Sequence, residues 1–361
     1  GSLVAHHPTL PTMSLTAEAA PEAVLFTDNE TNTERLYGVP NAHPFTKDAF
    51  HRRVVDGDVR AVRGEPHGTK AAFWYRRVLG AGESVTLRLR LRSTSSPAAD
   101  ATATLAAREQ EANAFYAAHL PEGATDEERR IARTAYAGLL WTKQFYHLVA
   151  DHWLEGDPAH PPPPEVRKGQ HHRDWRHLYS RDVLSVPDKW EYPWFAAWDL
   201  AFHMLPMARI DAHFAKEQLL LLLREWYMHP NGHIPAYEFA FGDVNPPVHA
   251  WAAFRTYKIA ARRGERDRRF LARVFQKLLL NFTWWVNRKD EEGNNLFAGG
   301  FLGLDNVGLF DRSKPLPGGY RLRQSDGTAW MAFYAVTMLA IALELAKEDP
   351  VYEDVASKFF E

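Results

Sequence analysis

The 361-residue sequence has no cysteine, which excludes disulfides, thiolate metal ligands and a cysteine nucleophile. It has no uninterrupted apolar run of about 18 residues, so no continuous stretch of membrane-spanning length stands out, and no membrane partner is expected. An excess of one charge is also missing. The 43 Lys and Arg face 45 Asp and Glu, a formal net charge of -2, so nothing in the composition attracts a phosphate backbone and nucleic acid is not an expected partner. No phosphate-cradling glycine loop ends in Lys-Ser or Lys-Thr, and no Gly-x-Ser-x-Gly occurs. His171, His172 and His177 have no acid or Cys at a recognised ligand spacing. Asp290 to Asn295 lacks the ligand alternation and final Glu of a calcium loop and reads as a turn. No metal and no cofactor is expected.

What is present is apolar and aromatic. The chain is 45% apolar and carries 12 Trp and 13 Tyr, enough for a large core and about two domains. Flat rings suit sugar-like ligands and equally suit a large aromatic core. The composition fits a bacterial cytoplasm, which is the expected location. The chain opens Gly1-Ser2 without an initiator Met and stops at Phe359-Phe360-Glu361, inside an amphipathic pattern set by Val351, Val355 and Phe359. It is therefore expected to be a piece of a longer protein.

Four segments are expected. Residues 1–22 read as a flexible lead-in. Residues 23–95 are strand-like: Val24-Leu25-Phe26, the aromatic and branched run from Ala71 to Leu79, and the strict alternation Val85 to Leu91 suggest the last strands of a β-sandwich. Residues 96–124 form a linker and an Ala/Glu-rich helix over about 99–119. Residues 125–361 are helical. Thr125 followed by Asp126-Glu127-Glu128 marks a capped helix start, whose pattern runs through Ile131, Leu139, Phe145 and Leu148. Further helices are predicted at about 194–209, 212–228, 247–263, 267–288 and 326–347. The clearest places Leu271, Val274, Phe275, Leu278, Phe282 and Trp285 on one face. Two long connections, about 154–192 and 289–325, interrupt the series. Connections of that length within a domain are usually functional.

Three constellations could carry chemistry. The most informative is Phe297 to Asn306, followed by Asp311-Arg312. It sets Asp305 in an apolar, glycine-rich loop beside Asn306, with Phe297, Phe301, Phe310, Tyr320 and Trp330 available to stack on sugar rings. A carboxyl in apolar surroundings stays protonated to higher pH and can serve as a general acid. A helix-to-helix turn with a capping Asp is the alternative. The second is Trp190 to Asp199 with His203 one turn on: Trp194 and Trp198 as aromatic walls, Asp199 and His203 as hydroxyl ligands, or a helix-stabilising Asp with core aromatics. It is joined by Ile234 to Glu238 and Gly242 to Pro247, a rigid loop carrying Tyr237, Glu238 and Asn245. There Glu238 is a second catalytic carboxylate, a hydroxyl ligand or the partner of an Arg. The third is Gln324 to Trp330, where Asp326 suits a helix cap with Trp330 one turn later.

Taken together, Trp198-Asp199-x-x-Phe202-His203, Gly303-Leu304-Asp305-Asn306 and Asp326-x-x-x-Trp330 resemble, in order and approximate spacing, glycoside hydrolase family 63. That family includes processing α-glucosidase I, bacterial α-glucosidases and mannosylglycerate-type hydrolases. The resemblance covers about residues 22–361. It implies a mainly α architecture in which an N-terminal β-sandwich precedes an (α/α)6 barrel, here present in part. It also implies hydrolysis with inversion of a small α-glucoside or related α-mannoside. Asp305 matches the family's general acid. Trp194, Trp198, Asp199, His203, Tyr237, Glu238, Asn245, Phe301, Asn306, Arg312, Gln324, Asp326 and Trp330 are the candidate substrate-binding residues. The family's general base, a Glu late in the barrel, has no counterpart before residue 361, so these residues alone are expected to be inactive or nearly so. The α-glucosidase I pattern has a Glu four residues before the position of Asp326. Leu322 stands there, which argues against oligosaccharide-processing specificity. The rival reading is a non-catalytic carbohydrate-binding or assembly module, and association with a second copy or with the rest of the barrel is expected in either case.

Overall fold

The spacing of Leu271, Val274, Phe275, Leu278 and Trp285 becomes the fully buried face of one long helix, Arg268–Val286, capped by Asp267, whose carboxylate accepts from the Phe270 amide at 3.0 Å. The structure, a computed structural model, describes residues 1–361 except 98, 171, 225–226, 239–240, 242–243, 262–264, 289–296, 298–315, 321–325 and 361. The chain is mainly α and divides into two compact units, Gly1–Ala118 with Pro158–Pro161, and His119–Asp157 with Pro162–Glu361.

The first unit holds β1 (Ser2–Ala5), β2 (Met13–Ala17), β3 (Ala23–Thr27), α1 (Thr33–Tyr37), α2 (Ala49–Val54), β4 (Lys70–Trp74), β5 (Leu89–Ser93) and most of α3 (Ala101–His119). The strands form two small antiparallel sheets, ordered β1-β2-β5 and β3-β4. Residues 1–22 are thus not a flexible lead-in throughout: β1 and β2 pair along their length, and β2 pairs with β5 more than 70 positions away, at Met13↔Ser93. Nothing local signals that pairing. The alternating segment enters the sheet only from Leu89.

The second unit begins with α4 (Asp126–Trp141). Thr125 and Glu128 make a reciprocal capping box at its N-terminus. The helix does not continue through Phe145 and Leu148. Residues Lys143–Val149 form β6, paired antiparallel with β7 (Tyr179–Ser185), and α5 (Ala150–Glu155) follows β6. The long connection thus supplies the strand partner that overrides the local helical pattern.

Three helical hairpins follow: α6 (Ala197–Ile210) with α7 (Ala212–Leu222), α8 (Val248–Ile259) with α9 (Arg268–Val286), and α10 (Asp326–Ala346) with α11 (Val351–Phe360). Cross-helix contacts fix their directions. The Phe202 ring lies 6.1 Å from Trp251, and the Thr256 hydroxyl reaches the Met204 carbonyl at 3.4 Å, so α6 and α8 run parallel. His249 lies 5.8 Å from Tyr334, and the Tyr257 hydroxyl donates to Glu344 at 2.9 Å, so α8 and α10 also run parallel. α9 runs against them, with Arg268 on the Glu344 carbonyl at 2.8 Å and the Tyr334 hydroxyl on the Leu278 carbonyl at 3.1 Å. One large apolar cluster, including Met204, Leu219, Tyr257, Leu278, Tyr334 and Ile341, joins the three hairpins.

This alternation separates the connections into two kinds. At the C-terminal ends of α6, α8 and α10 they are short: Asp211 alone, residues 260–267 and residues 347–350. At the N-terminal ends of α8 and α10 they are long: residues 223–247 and 287–325. The helix ends that flank both long segments therefore lie at one end of the parallel trio.

α10 is, among the described residues, the helix apolar and long enough to cross a membrane by length and composition, over Gly327–Ala346. Its Met331, Tyr334, Met338, Ile341 and Leu345 are buried against neighbouring helices. Its Glu344 is buried in a cluster with Tyr257, Arg266 and Lys347. Packing inside the second unit accounts for that composition.

Candidate functional site

The two parts of the second constellation meet through the backbone. The Ala197 amide donates to the Ala236 carbonyl at 2.9 Å, and Ala196 and Tyr237 form an antiparallel bridge. The Trp198 amide, in the first turn of α6, is within 3.4 Å of the Asn245 side-chain oxygen. A helix N-terminus has amides without internal partners, and Asn245 fills one of these positions. The loop before α8 is thereby tied at two points to the start of α6, which brings Tyr237, Glu238 and Asn245 to Trp198 and Asp199.

Glu238 is the most unusual group there. Its side chain is largely desolvated, its Oε2 is buried with no hydrogen-bond partner, and no cation pairs with it among the described residues. Burial pushes its carboxyl up to about 8. Of the readings left open by sequence, an Arg partner is therefore not found. Near pH 7 this carboxyl is mainly neutral, an O–H donor rather than a base. Asp199, also half-buried, is pushed up by the same desolvation and pulled back partly by its own amide and by His203.

His203 differs from its expected role. Its Nδ1 lies 2.9 Å from the Ser185 hydroxyl, which in turn lies 2.7 Å from that of Thr142. One ring nitrogen thus ties α6 to β7 instead of meeting a ligand. Burial holds its pKa below the usual histidine value. Trp194 is half-buried, with its ring 4.5 Å from Tyr192. Trp198, Phe202, Trp251, Phe333 and Trp330 form a chain of ring contacts at 5.8, 6.1, 6.3 and 5.9 Å, running from α6 across α8 to α10. Trp330 is thereby brought into the same array as Trp198, at the long-loop end.

Phe297 lies at that end, its amide donating to the Thr328 hydroxyl at 3.1 Å in the first turn of α10. The Phe297 ring packs on the main core rather than standing free to stack on a sugar. Phe301, Asp305, Asn306, Arg312 and Gln324 lie outside the described residues, as does Phe310. Asp326 opens α10, and its side chain is likewise not described.

Beneath the loop lies a buried polar network that periodicity alone did not reveal. The Asn281 carboxamide donates to the Gly232 carbonyl at 2.7 Å, and its oxygen lies 3.0 Å from His249 Nε2 and 3.2 Å from the Tyr334 hydroxyl. Complete burial drives the His249 pKa down to about 4, so the ring is neutral. Gly232 has φ +95°, and a Cβ there would run into the Leu280 carbonyl. His233 then stacks on Trp284 at 4.4 Å with the planes 6° apart, and Phe241 lies 4.7 Å from His233, 5.2 Å from His229 and 5.7 Å from Trp175. Among the described residues no group of three His, Cys, Asp or Glu side chains is placed to hold a metal ion.

Residues 192–304 match the family model for the mannosylglycerate hydrolase MGH1-like glycoside hydrolase domain. Within residues 192–304 the chain is thus similar to a glycoside hydrolase domain, in keeping with the family 63-like resemblance of its motifs. Its match takes in Trp198, Asp199, His203, Tyr237, Glu238 and Asn245, the residues gathered at the starts of α6 and α8, and ends on Leu304. The chain is also 54% identical over 354 residues to a protein of the yeast Saccharomyces cerevisiae, "Uncharacterized protein YMR196W". That similarity takes in 94% of the chain but only 32% of the yeast protein, so the chain spans about a third of that relative's length.

Proposed function

We propose that the glycoside hydrolase domain belongs to an inverting glycosidase that cleaves an α-glucosidic, or related α-mannosidic, bond in a small glycoside or oligosaccharide. The observation that carries this reading is the Ala197–Ala236 hydrogen bond. It joins the backbone that carries Trp198 and Asp199 to the backbone that carries Tyr237 and Glu238, inside the segment that matches the hydrolase family. Desolvated carboxyls beside aromatic rings suit a pyranose, whose hydroxyls bond to the acids and whose C–H face lies on the rings.

In this reading Asp305 is the general acid, and the protein is the first part of an (α/α)6 barrel preceded by the end of a β-sandwich. Asp305 gives its proton to the glycosidic oxygen as the bond to the anomeric carbon breaks. A carboxylate base takes a proton from water, whose oxygen attacks that carbon from the opposite face. Inversion requires the two groups about 6.5–9.5 Å apart. Glu238 is a poor base while uncharged, so it serves as a hydroxyl ligand. The base comes from a longer polypeptide, of the kind represented by the yeast relative.

The test uses that longer polypeptide, with and without Asp305→Asn, on a panel of α-glucosides and mannosyl- and glucosylglycerate, followed by proton NMR. The β-anomer should appear first, and the variant should lose roughly 10²–10⁴-fold in rate. Turnover indifferent to the substitution, or release of the α-anomer first, overturns the reading.

A further inference from the structure

A second aromatic feature lies on the chain path into this site. Trp141 ends α4 and is 65% exposed, and Trp190, in the loop before α6, is 80% exposed. The Lys189 ammonium stands between them, 3.6 Å from the centre of the Trp141 ring and 5.2 Å from that of Trp190. The arrangement is built rather than accidental. Asp188 accepts the amides of Trp190 and Glu191 at 2.7 and 2.8 Å and bridges to Tyr192, closing a tight turn that presents Trp190 at its tip. From that turn the chain passes through Tyr192 and Trp194, whose rings are in contact, to Ala196 and the bridge to Tyr237.

We propose that Trp141, Lys189 and Trp190 form an outer saccharide subsite, which extends the reach of the site to an oligosaccharide of α-linked glucose. The proposal rests on the glycosidase reading for its ligand class. Two exposed rings offer apolar faces for pyranose C–H groups, and the ammonium and the exposed Glu191 carboxylate beside them offer bonds to ring hydroxyls. A dry protein contact suits this surface less well, because interface cores are depleted in Lys and Glu while this patch has a lysine at its centre. Continuity with the proposed binding residues favours a ligand that spans both.

Calorimetric titration of the 361-residue chain with maltose and with maltohexaose tests this, using Trp190→Ala, Trp141→Ala and Glu238→Gln. Both tryptophans are exposed, so the fold should persist, which circular dichroism checks. Each Trp variant should weaken maltohexaose binding about five-fold, a typical contribution of one stacked ring, and leave maltose unchanged. Equal weakening for both sugars, or none for either, overturns the outer subsite. If Glu238→Gln has no effect while the Trp variants still discriminate by length, the outer subsite stands and the inner reading falls. If the unaltered chain binds neither sugar, both fall.

Discussion

The Ala197 amide and the Ala236 carbonyl, 2.9 Å apart, couple the start of α6 to the loop that precedes α8. Positions almost forty residues apart become one site by a main-chain bond that any two residues could make, and the side chains beside them carry the specificity. Further contacts support that bond: Asn245 on the Trp198 amide, the Ala196–Tyr237 bridge and the Asn281 network below. Each can be tested separately.

Glu238→Gln should stabilise the protein at alkaline pH. Native Glu238 keeps its proton to about 8, while an unfolded glutamate releases it near 4.5. Between those values the folded state binds the extra proton, so the Glu238 contribution to stability falls as pH rises. Glutamine has no charge to bury. The variant should gain on the wild type progressively from pH 5 to pH 9, by a few kcal/mol at most. Thermal unfolding at pH 5, 7 and 9 checks this, and a constant difference across that range would show that the carboxyl is solvated.

Glu344→Gln should do the opposite and spare the site. Tyr257, Arg266 and Lys347 donate to this buried carboxylate at 2.9, 2.7 and 2.6 Å. Despite the opposing effect of burial, these hydrogen bonds bring its pKa down to about 2. A lowered carboxyl pKa gives stability that is present above about 4.5 and lost as pH falls toward 2. Urea unfolding at pH 7 should show a loss of about 3 kcal/mol, typical of breaking a buried ion pair. Saccharide binding should be unchanged, because Glu344 lies at the short-loop end.

Asn281→Ala should cost about 2–3 kcal/mol, since it leaves His249 and the Gly232 carbonyl short of a buried partner, while the Tyr334 hydroxyl keeps the Leu278 carbonyl. Denaturant titration measures it. A loss under about 1 kcal/mol would mean that water replaces the carboxamide.

Gly232→Ala should destabilise by about 1–3 kcal/mol, because the new Cβ meets both a left-handed backbone and the Leu280 carbonyl. A crystal structure of the variant should show the segment that leads to Glu238 displaced. An unshifted loop with unchanged stability would refute this account of the turn.

Several features were legible before any coordinates. The Thr125 cap, the apolar face of α9 and the approximate spans of α6, α8 and α10 follow from local chemistry and a 3.6-residue period. The strand nature of Lys143–Val149 was not legible, because its partner Tyr179–Ser185 is fixed only by the fold. The same holds for β2 with β5. The site was legible only as residue types, not as contacts. Trp198, Asp199 and Glu238 stood out as types, whereas the Ser185 contact of His203 and the core packing of Phe297 needed the third dimension.

Sequence by itself determined the approximate spans of the long helices α6, α8, α9 and α10, the apolar face of α9, and that acids and aromatic rings cluster in three stretches. Those properties depend on neighbours within a turn or two. Tertiary structure alone decided that α6, α8 and α10 run parallel, so that the starts of α8 and α10 lie where α6 begins. It also decided that, among the described residues, Glu238 has no counter-ion while Glu344 has several. A carboxyl's proton affinity depends on the solvent and charges packed around it, and those come from distant parts of the chain.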